Sequence, residues 1–360
     1  MGKGCARIAG ALLMSLGLFF VVLLVGVFAL MKGCAPSDNL ADLRNRPTEK
    51  LLSGTELSPE KIVILPIEGP ITEDEFGFVR NAIQTAYEDL RLSGLILRVN
   101  SPGGTIAGSD YYYKLLRDLK KERNVPVYVS MGGMAASGGY YVSMVGDKIF
   151  AERSCVTGAI GVIAMLIDAS SLCERIGVRS NYIVSGKNKG MGDITRPMSE
   201  EERAIWQGLI DESYEQFLAV IREGRPAFTT NRPKEDGEET ARSEEKTEEG
   251  DTAESGEPPA DDPLRALADG RVYSASEAKA LGLIDEIGFL QDAVEAMIKD
   301  ELKVPEKDVQ VVRYKKPESI LTMFGAGSEG KTAAEHAVSV IETISVPTLY
   351  YIVPGTLPIL

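Results

Sequence analysis

Residues 125–143 read VPVYVSMGGMAASGGYYVS, and this stretch decides how the chain folds. Valine alternates with other residues at its start, which predicts a buried strand, and the pair Gly132–Gly133 predicts the turn that ends it. Residues 140–142, YYV, then follow as the core face of a helix. The stretch therefore predicts a strand, a turn and a helix, with Ser137 between the turn and the helix.

Ser137 is surrounded in sequence by residues no larger than alanine on three sides, which leaves room for a substrate carbonyl beside its hydroxyl. The amide of Gly138 would lie in the first helical turn, where N–H groups lack intrahelical partners and can hold an oxyanion. Ala135 stands two residues before the serine, so the stretch is not a G-x-S-x-G elbow. The alternative is a tight turn that needs small residues only for packing.

The chain contains a single histidine, His336, near its C-terminus. A zinc site with two or three histidine ligands is therefore excluded, and a Ser-His-Asp triad would have to recruit this one residue. If Ser137 is a nucleophile, the expected base is a lysine.

The four cysteines, at positions 5, 34, 155 and 173, fall at no metal-ligand spacing. For Cys155 and Cys173 we expect buried thiols rather than a disulfide, although the spacing leaves both open. The sequence thus predicts neither a metal nor another cofactor.

The formal net charge of −14 at pH 7 argues against nucleic acid as a partner. Residues 231–263 supply most of it, because they hold 13 acidic and 4 basic side chains. They contain no aromatic or aliphatic anchor, which predicts a disordered acidic insert. An acidic docking site is the alternative.

Residues 8–31 form an apolar run of 24 residues without a charged side chain. As a helix this run would be about 36 Å long, enough to cross a bilayer with some tilt. We predict a transmembrane helix here. A cleaved signal peptide is the alternative, but the run is long for one and lacks a clean cleavage site.

Strand and helix patterns alternate along the rest of the chain, which predicts an α/β fold with parallel strand pairing. Ser199 and Glu202 predict the N-terminal cap of a long amphipathic helix. Thr72 and Glu75 predict a second capping box. The strand patterns lie at residues 61–67, 93–99, 148–151, 309–314 and 349–354.

Four segments carry a resemblance to a known family. They are LILRVNSPGG (95–104), MAASGGYYVS (134–143), SGKNKGMG (185–192) and ADGRVYSASEAKALGLIDEIG (268–288). In this order they resemble the signal peptide peptidase A family (protease IV) of the Clp/crotonase superfamily. The resemblance implies a Clp/crotonase-like fold of repeated β-β-α units in a superhelix, preceded here by one N-terminal transmembrane helix.

The resemblance also implies roles for individual residues. Ser137 matches the nucleophile of the family motif A-A-S-G-G-Y, and Lys189 matches the general base of its G-x-x-K loop. Gly104 and Gly138 match the backbone donors of the oxyanion hole. Lysine ordinarily has a pKa of about 10.4, so a lysine base needs burial to become neutral, and a closed subunit interface would provide that burial. We expect Lys187 to be a surface lysine.

One position departs from the family pattern. In the stretch 157–161, TGAIG, the family usually has a serine at the third position, whose hydroxyl helps to hold the lysine; here it is Ala159. Thr157 is our candidate for the orienting hydroxyl, with a backbone carbonyl as the alternative. The loss of the serine puts the catalytic efficiency in question.

The function implied by the resemblance is that of a membrane-anchored serine endopeptidase with a Ser137/Lys189 dyad. Its substrates would be cleaved signal peptides or other membrane-released peptides. Short family members form homo-oligomeric rings in which serine and lysine come from neighbouring subunits. The expected location is the inner (cytoplasmic) membrane, single-pass, with the catalytic domain on the extracytoplasmic side. The alternatives are a catalytically weak or inactive membrane scaffold on the same fold and a crotonase-type acyl-CoA enzyme.

These expectations divide the chain into segments. Residues 1–7 form a cytoplasmic head, 8–31 the transmembrane helix, 32–59 a tether, 60–302 the protease domain with its insert at 231–263, and 303–360 a C-terminal extension.

Overall fold

The computed structural model describes residues 46–72, 76–228, 262–317 and 349–352. The predicted transmembrane helix, His336 and nearly all of the acidic insert lie outside these residues. The capping box predicted at Thr72 and Glu75 lies partly outside them. Within the described ranges, no helix is both long and apolar enough to cross a membrane.

The main sheet contains nine of the described strands and is mostly parallel, which confirms the α/β prediction. Its strand order is β1-β11-β2-β3-β5-β6-β10, and β7 extends it by pairing with β5 and β9. Only the pairs β1–β11 and β7–β9 are antiparallel. The strands are β1 Thr48–Ser53, β2 Glu60–Glu68, β3 Leu92–Ser101, β5 Val127–Ala136, β6 Lys148–Ala151, β7 Val156–Gly158, β9 Val272–Ser274, β10 Glu286–Ile287 and β11 Val309–Lys315.

Three further strands form a small antiparallel sheet with the order β4-β12-β8. They are β4 Gly103–Thr105, β8 Ile163–Ala164 and β12 Leu349–Ile352. Strand β12 lies in the middle and pairs with both neighbours.

Helices connect the parallel strands. They are α1 Phe76–Glu88, α2 Ile106–Arg123, α3 Gly138–Ser143, α4 Ser170–Ile176, α5 Glu200–Gly224, α6 Pro263–Leu267, α7 Ala275–Ala280 and α8 Leu290–Met297, which continues as a π-helix at Ile298–Leu302. The predicted cap of α5 is confirmed, because Ser199 and Glu202 form both hydrogen bonds of a capping box. The predicted acidic insert, residues 231–263, extends too far at its C-terminal end, because Asp262 is already the N-cap of α6.

The central strands are apolar along their whole length because both faces of the sheet are covered. In β2, residues 62–65 are fully buried. One core lies on the face covered by α1, α2, α3 and α5, and a smaller core lies on the other face beneath α8. Helix α5 buries only part of its apolar stripe against the core. Phe217 and Ile221 are buried, whereas Ile205 and Leu209 are 36% and 40% exposed.

Strand β5 does not end at Gly132–Gly133, where the sequence predicts a turn. It continues to Ala136 through a bulge, in which Asn100 of β3 stands opposite the three residues 132–134. The side-chain oxygen of Asn100 accepts a hydrogen bond from the amide of Met134 at 3.1 Å. Before the bulge β5 pairs with β6, and after it β5 pairs with β7. The bulge thus redirects the strand so that it delivers the serine turn beside β7.

The main sheet includes strands that lie outside both predicted limits of the protease domain. Strand β1 comes from residues expected to be a tether, and β11 from those expected to be a C-terminal extension. Lys61, only 2% exposed, fixes β1 because its ammonium pairs with Glu49 at 2.7 Å and with Asp89 at 2.6 Å. A buried ammonium needs such partners, so this ion-pair cluster stabilises the edge of the sheet.

Candidate active site

Ser137 lies in the sharp turn between β5 and α3. Its φ of 53° and ψ of −115° fall outside the regions that residues with a side chain normally occupy. The turn is held on both sides: the Ser137 amide donates to the carbonyl of Gly158 at 2.7 Å, and the Ser137 carbonyl accepts from the amide of Tyr141 at 2.8 Å. A strained serine between a strand and a helix has the geometry of a nucleophile elbow, although the G-x-S-x-G pattern is absent.

The Ser137 side chain is buried without a partner. The residue is 1% exposed, and its hydroxyl oxygen makes no hydrogen bond with any described residue. A buried polar group in this state costs about 1–3 kcal/mol, so native proteins keep one only where something requires it. The hydroxyl is therefore free to accept a base or a substrate that the described residues do not supply.

Gly104 lies in β4, close to the backbone of Ile71. The amide of Ile71 donates to the Gly103 carbonyl, and the amide of Thr105 donates to the Ile71 carbonyl, both at 2.9 Å. A Cβ atom at position 104 would lie 1.9 Å from the Ile71 carbonyl oxygen, so only glycine fits. The close approach fixes the backbone of Gly104, the first predicted oxyanion donor.

Gly138 begins α3, and its amide is one of the N–H groups that a first helical turn leaves without an intrahelical partner. The next residue, Gly139, brings α3 close to the end of β3, because a Cβ there would lie 2.8 Å from the carbonyl oxygen of Ser101. Helix α3 also contacts β4. The fold thus places the two predicted oxyanion glycines on neighbouring elements beside Ser137.

Thr157 and Ala159 flank the carbonyl that holds Ser137. The Thr157 hydroxyl is fully buried and donates to the carbonyl of Ala135 at 2.6 Å. The hydroxyl oxygen still has lone pairs that can accept a hydrogen bond from an amine. The role of Thr157 in orienting the lysine therefore stays a prediction. Ala159 is 5% exposed and has a φ of 49°, and its amide donates to the carbonyl of Arg271 at 2.7 Å.

Replacing Ala159 with serine is expected to raise kcat/KM about 2- to 13-fold, if the new hydroxyl adds one hydrogen bond worth about 0.5–1.5 kcal/mol to the lysine. Thr157→Val is the companion variant, and loss of its bond to Ala135 is expected to lower the melting temperature by a few degrees. Kinetics on a signal-peptide-like substrate and thermal melts check both. An unchanged rate in Ala159→Ser with a collapse in Thr157→Val would identify Thr157 as the orienting group.

Lys189 lies in a 3₁₀ turn, Lys187–Gly190, that is held against α5. Within it the Lys189 amide donates to the Gly186 carbonyl at 3.0 Å. Arg196 donates to the Gly190 carbonyl at 2.7 Å and also pairs with Glu202 of α5. This Arg196–Glu202 clamp fixes the turn to the long helix.

The two lysines of the turn differ in what they contact. Lys187 forms an ion pair with Glu201 at 2.6 Å and is a surface residue, as predicted. Lys189 is also exposed, and it makes no ion pair with a described residue. The Ser137 hydroxyl has no partner in the described part of the chain either, so the two predicted catalytic side chains do not meet there.

The Arg196–Glu202 clamp predicts how the turn responds to pH. The hydrogen bond from Arg196, followed by the one from the Ser199 amide, lowers the pKa of Glu202 to about 2. The clamp therefore contributes fully above the ordinary carboxyl pKa of about 4.3 and is lost as the pH falls towards 2. Trp206, the only tryptophan, lies on the same helix and lines the same cavity as Glu202, so we expect its fluorescence to report the change.

We expect Glu202→Gln to shift the Trp206 emission at pH 7 towards that of the wild type near pH 2. Glu200→Gln is the matched control, because Glu200 is exposed in the same helical turn and lies outside the clamp. Emission from Glu202→Gln that matches the wild type at pH 7 would show that the clamp does not hold the turn.

Sequence reasoning missed three residues that shape this site. Gly158 supplies the carbonyl that holds the Ser137 amide, Asn100 holds the bulge of β5, and Arg196 holds the lysine turn. The sequence could have pointed to Asn100, since it begins the N-S-P-G-G segment that ends a predicted strand. Arg196 acts through contacts that no local pattern marks. Gly158 lies in the TGAIG stretch, but that pattern does not indicate that its carbonyl holds the Ser137 amide. Cys155 and Cys173 are both free, as expected, but the prediction of buried thiols is right only for Cys155, because Cys173 is partly exposed on α4.

Comparison with known proteins supports the same assignment. The family model of Peptidase family S49 matches residues 119–239 and 260–304, leaving out the middle of the acidic insert. A relative from Enterococcus faecium, named "Putative signal peptide peptidase SppA", is 33% identical over 282 residues, which is 75% of this chain and 71% of the relative.

Two longer relatives match as well. "Protease 4" of Haemophilus influenzae is 29% identical over 66% of this chain and 34% of its own length. "Serine protease SPPA, chloroplastic" of Arabidopsis thaliana is 29% identical over 68% of this chain and 32% of its own length. The resemblance seen in four sequence motifs is thus confirmed, and the chain belongs to peptidase family S49, the signal peptide peptidase A family.

Proposed function

We propose that this peptidase is a serine endopeptidase in which Ser137 is the nucleophile and Lys189 the general base. The observation that carries the proposal is the Ser137 hydroxyl, which is buried in a strained turn beside two glycines whose backbone is fixed and has no partner within the described ranges. Strain and an unsatisfied hydroxyl at one residue are hard to explain by packing alone.

The chemistry follows from the groups present. Neutral Lys189 would accept the hydroxyl proton as Ser137 attacks the peptide carbonyl, and would return it to the leaving amine. The backbone amides of Gly104 and Gly138 would stabilise the oxyanion. Water would then hydrolyse the acyl-enzyme with the same lysine as base.

A second copy of the chain would complete the site. The arm, residues 165–184, leads into the lysine turn and exposes many large apolar side chains, and α4 within it has no buried residue. A concentration of exposed apolar side chains in one segment is typical of an interface. A neighbour covering the arm would also remove Lys189 from water, which favours its neutral form. The exposed apolar residues are Met165, Ile167, Leu172, Ile176, Val178, Tyr182, Ile183 and Val184.

We further propose a homo-oligomeric ring, anchored in the inner membrane by residues 8–31, that degrades cleaved signal peptides or other membrane-released peptides. The apolar run and the printed name of the Enterococcus faecium relative support this assignment. The Clp/crotonase-like superhelix belongs to the same proposal, but the protease domain extends beyond the predicted limits of 60 and 302, because β1 and β11 join its sheet.

Labelling with a fluorophosphonate tests the nucleophile, because the reagent loses fluoride to an activated serine hydroxyl. We expect one label per active chain, located on Ser137 by mass spectrometry and absent from Ser137→Ala. An assembled ring that takes up no label would favour the alternative, a catalytically inactive membrane scaffold.

Mixing subunits tests which chain supplies the base. When Ser137→Ala and Lys189→Ala chains assemble in equal amounts, about a quarter of the sites in a head-to-tail ring combine an intact serine with a neighbour's intact lysine. Peptidase activity should recover to about that fraction. No recovery in verified mixed rings would place both groups on one chain.

A further inference from the structure

A cavity of about 580 Å³ opens at the edge of the main sheet, where β1, β11 and the end of β2 meet. Its volume falls within the range of small-molecule sites, about 300–1,000 Å³. None of the residues that we assign to catalysis lines it. Much of the wall is apolar and comes from the end of β2, the segment after it and the start of α1. These apolar residues are Pro66, Ile67, Pro70, Ile71, Phe78 and Val79.

The same cavity is lined by cations of β1 and of the end of β11. They are Lys50, Arg313, Lys315 and Lys316, against one lining carboxylate, Glu68. Glu68 pairs with Arg313 at 2.6 Å, so three lysines remain with no further carboxylate among the described residues that line the cavity. In a chain whose net charge is −14, this cavity therefore combines an apolar wall with an excess of positive charge.

Strand pairing brings the cations together on one face of the sheet edge. Lys50 lies directly opposite Arg313 in the antiparallel β1–β11 pair, and Lys315 is two residues further along β11. Alternate residues of a strand share a face, and like charges directly opposite each other are destabilising. Lys50 and Lys315 are exposed and form no ion pair with a described residue. A bound anion would relieve this repulsion.

The lining also contains a buried donor without a partner. Tyr314 is fully buried, and its hydroxyl makes no hydrogen bond with a described residue. Burial raises the pKa of this phenol, so it stays protonated at neutral pH and can donate. Buried donors without partners are uncommon in native proteins, and a ligand that carries an acceptor would satisfy this one.

We infer that this cavity binds an amphiphile that has an anionic head, a carboxylate or a phosphate, and an apolar chain. The head would lie beside Lys50 and Lys315, and the chain would pack against the wall that includes Ile67 and Phe78. A free fatty acid and an anionic phospholipid both have this chemistry. The binding site does not depend on the proposed peptidase chemistry.

Ile71 connects the cavity to the candidate active site. It lines the cavity, while its amide donates to the Gly103 carbonyl and its carbonyl accepts from the Thr105 amide, both at 2.9 Å. A ligand that fills the cavity would therefore restrain the backbone on both sides of Gly104. This consequence for catalysis rests on the proposed function, because it takes Gly104 as an oxyanion donor.

Hydrogen exchange of the full chain carrying Ser137→Ala, in a neutral detergent, tests binding without peptidase activity. The probe is octanoate, with acetate as the head alone and octanol as the chain alone. A ligand that must leave before the edge opens slows exchange by the factor 1 + [L]/Kd. Octanoate at ten times its half-saturating concentration should therefore slow the amides of residues 48–53 and 309–315 about tenfold.

The two partial probes decide whether the site recognises both ends of the amphiphile. Acetate and octanol at the same concentration should leave exchange unchanged. Equal protection by either of them, or no protection by octanoate, would overturn the inference. Octanoate should also slow exchange of the Thr105 amide. Protection of the sheet edge without protection of Thr105 would overturn the connection to β4.

Lys50→Gln combined with Lys315→Gln tests the site of the head. This double variant should bind octanoate at least about tenfold more weakly, because two charge-assisted contacts are lost. The fold should persist, since both lysines are exposed and their loss removes like-charge repulsion. Lys299→Gln combined with Lys307→Gln is the matched control, because it removes the same charge from exposed lysines outside the cavity. Equal octanoate affinity in the two double variants would overturn the assignment of the head.

Reconstitution of the same full chain in nanodiscs distinguishes the two sources of the ligand. The discs contain phosphatidylcholine, with or without phosphatidylglycerol. Slow exchange of residues 48–53 and 309–315 in the discs with phosphatidylglycerol, lost in the Lys50→Gln, Lys315→Gln variant, would identify an anionic phospholipid. Slow exchange that appears only when octanoate is added would identify a free fatty acid.

Discussion

Replacing Ser137 with alanine is expected to abolish peptide hydrolysis, with kcat falling by about 10³-fold or more, because the attacking oxygen is removed. Lys189→Ala should lower kcat by about 10²- to 10⁴-fold, the range in which a positioned general base contributes. Both proteins should stay folded, since the Ser137 side chain makes no hydrogen bond to a described residue and Lys189 is exposed. Steady-state kinetics and thermal melts measure these effects.

Lys187→Ala is the matched control for the lysine, because Lys187 lies two residues away and its ammonium pairs with Glu201. His336→Ala is the control for a conventional triad. Both variants should keep the wild-type rate. Loss of turnover in folded His336→Ala protein would contradict the serine–lysine dyad.

Gly104→Ala is expected to lower kcat/KM by about 10²- to 10³-fold, the usual effect of losing one oxyanion donor. The added Cβ would lie 1.9 Å from the Ile71 carbonyl oxygen and 2.5 Å from its carbonyl carbon, so the backbone of β4 must move. Overpacking of this kind also costs about 1–3 kcal/mol of stability. Kinetics with a peptide substrate, together with thermal melts, separate the two effects.

Gly133→Ala is the control for this change, because it also adds one methyl group to a glycine in a strand near the site. Its Cβ would meet only the side-chain oxygen of Asn100, at an ordinary 3.7 Å. The variant should retain the wild-type kcat/KM within about twofold. A Gly104→Ala protein as active as Gly133→Ala would show that Gly104 is not an oxyanion donor.

Local patterns predicted the elements that carry the site but not how they connect. The alternation in residues 125–131 and the small residues around Ser137 correctly predicted a strand and a helix meeting at that serine. The same reading placed a turn at Gly132–Gly133. The structure has a bulge there, because Asn100 of the neighbouring strand accepts from the Met134 amide and keeps the chain extended.

The two catalytic candidates also show what local patterns cannot predict. Residue type and the order of four motifs pointed to Ser137 and Lys189, since a chain with one histidine offers few other bases. Their spacing says nothing about whether they meet. Among the described residues the hydroxyl has no partner and the ammonium is exposed, so the fold of one chain leaves the two groups apart.

The sequence by itself determined the family, the α/β class, the serine at the end of β5 and the lysine turn before α5, because each of these rests on residue types at short, fixed spacings. Only the tertiary structure decided the strain at Ser137, the contact of Gly104 with Ile71, the Arg196–Glu202 clamp and the place of β12 beside β4. Each of these depends on groups brought together by packing from distant parts of the chain, or on backbone angles that neighbouring strands impose. Short-range periodicity carries no information about either.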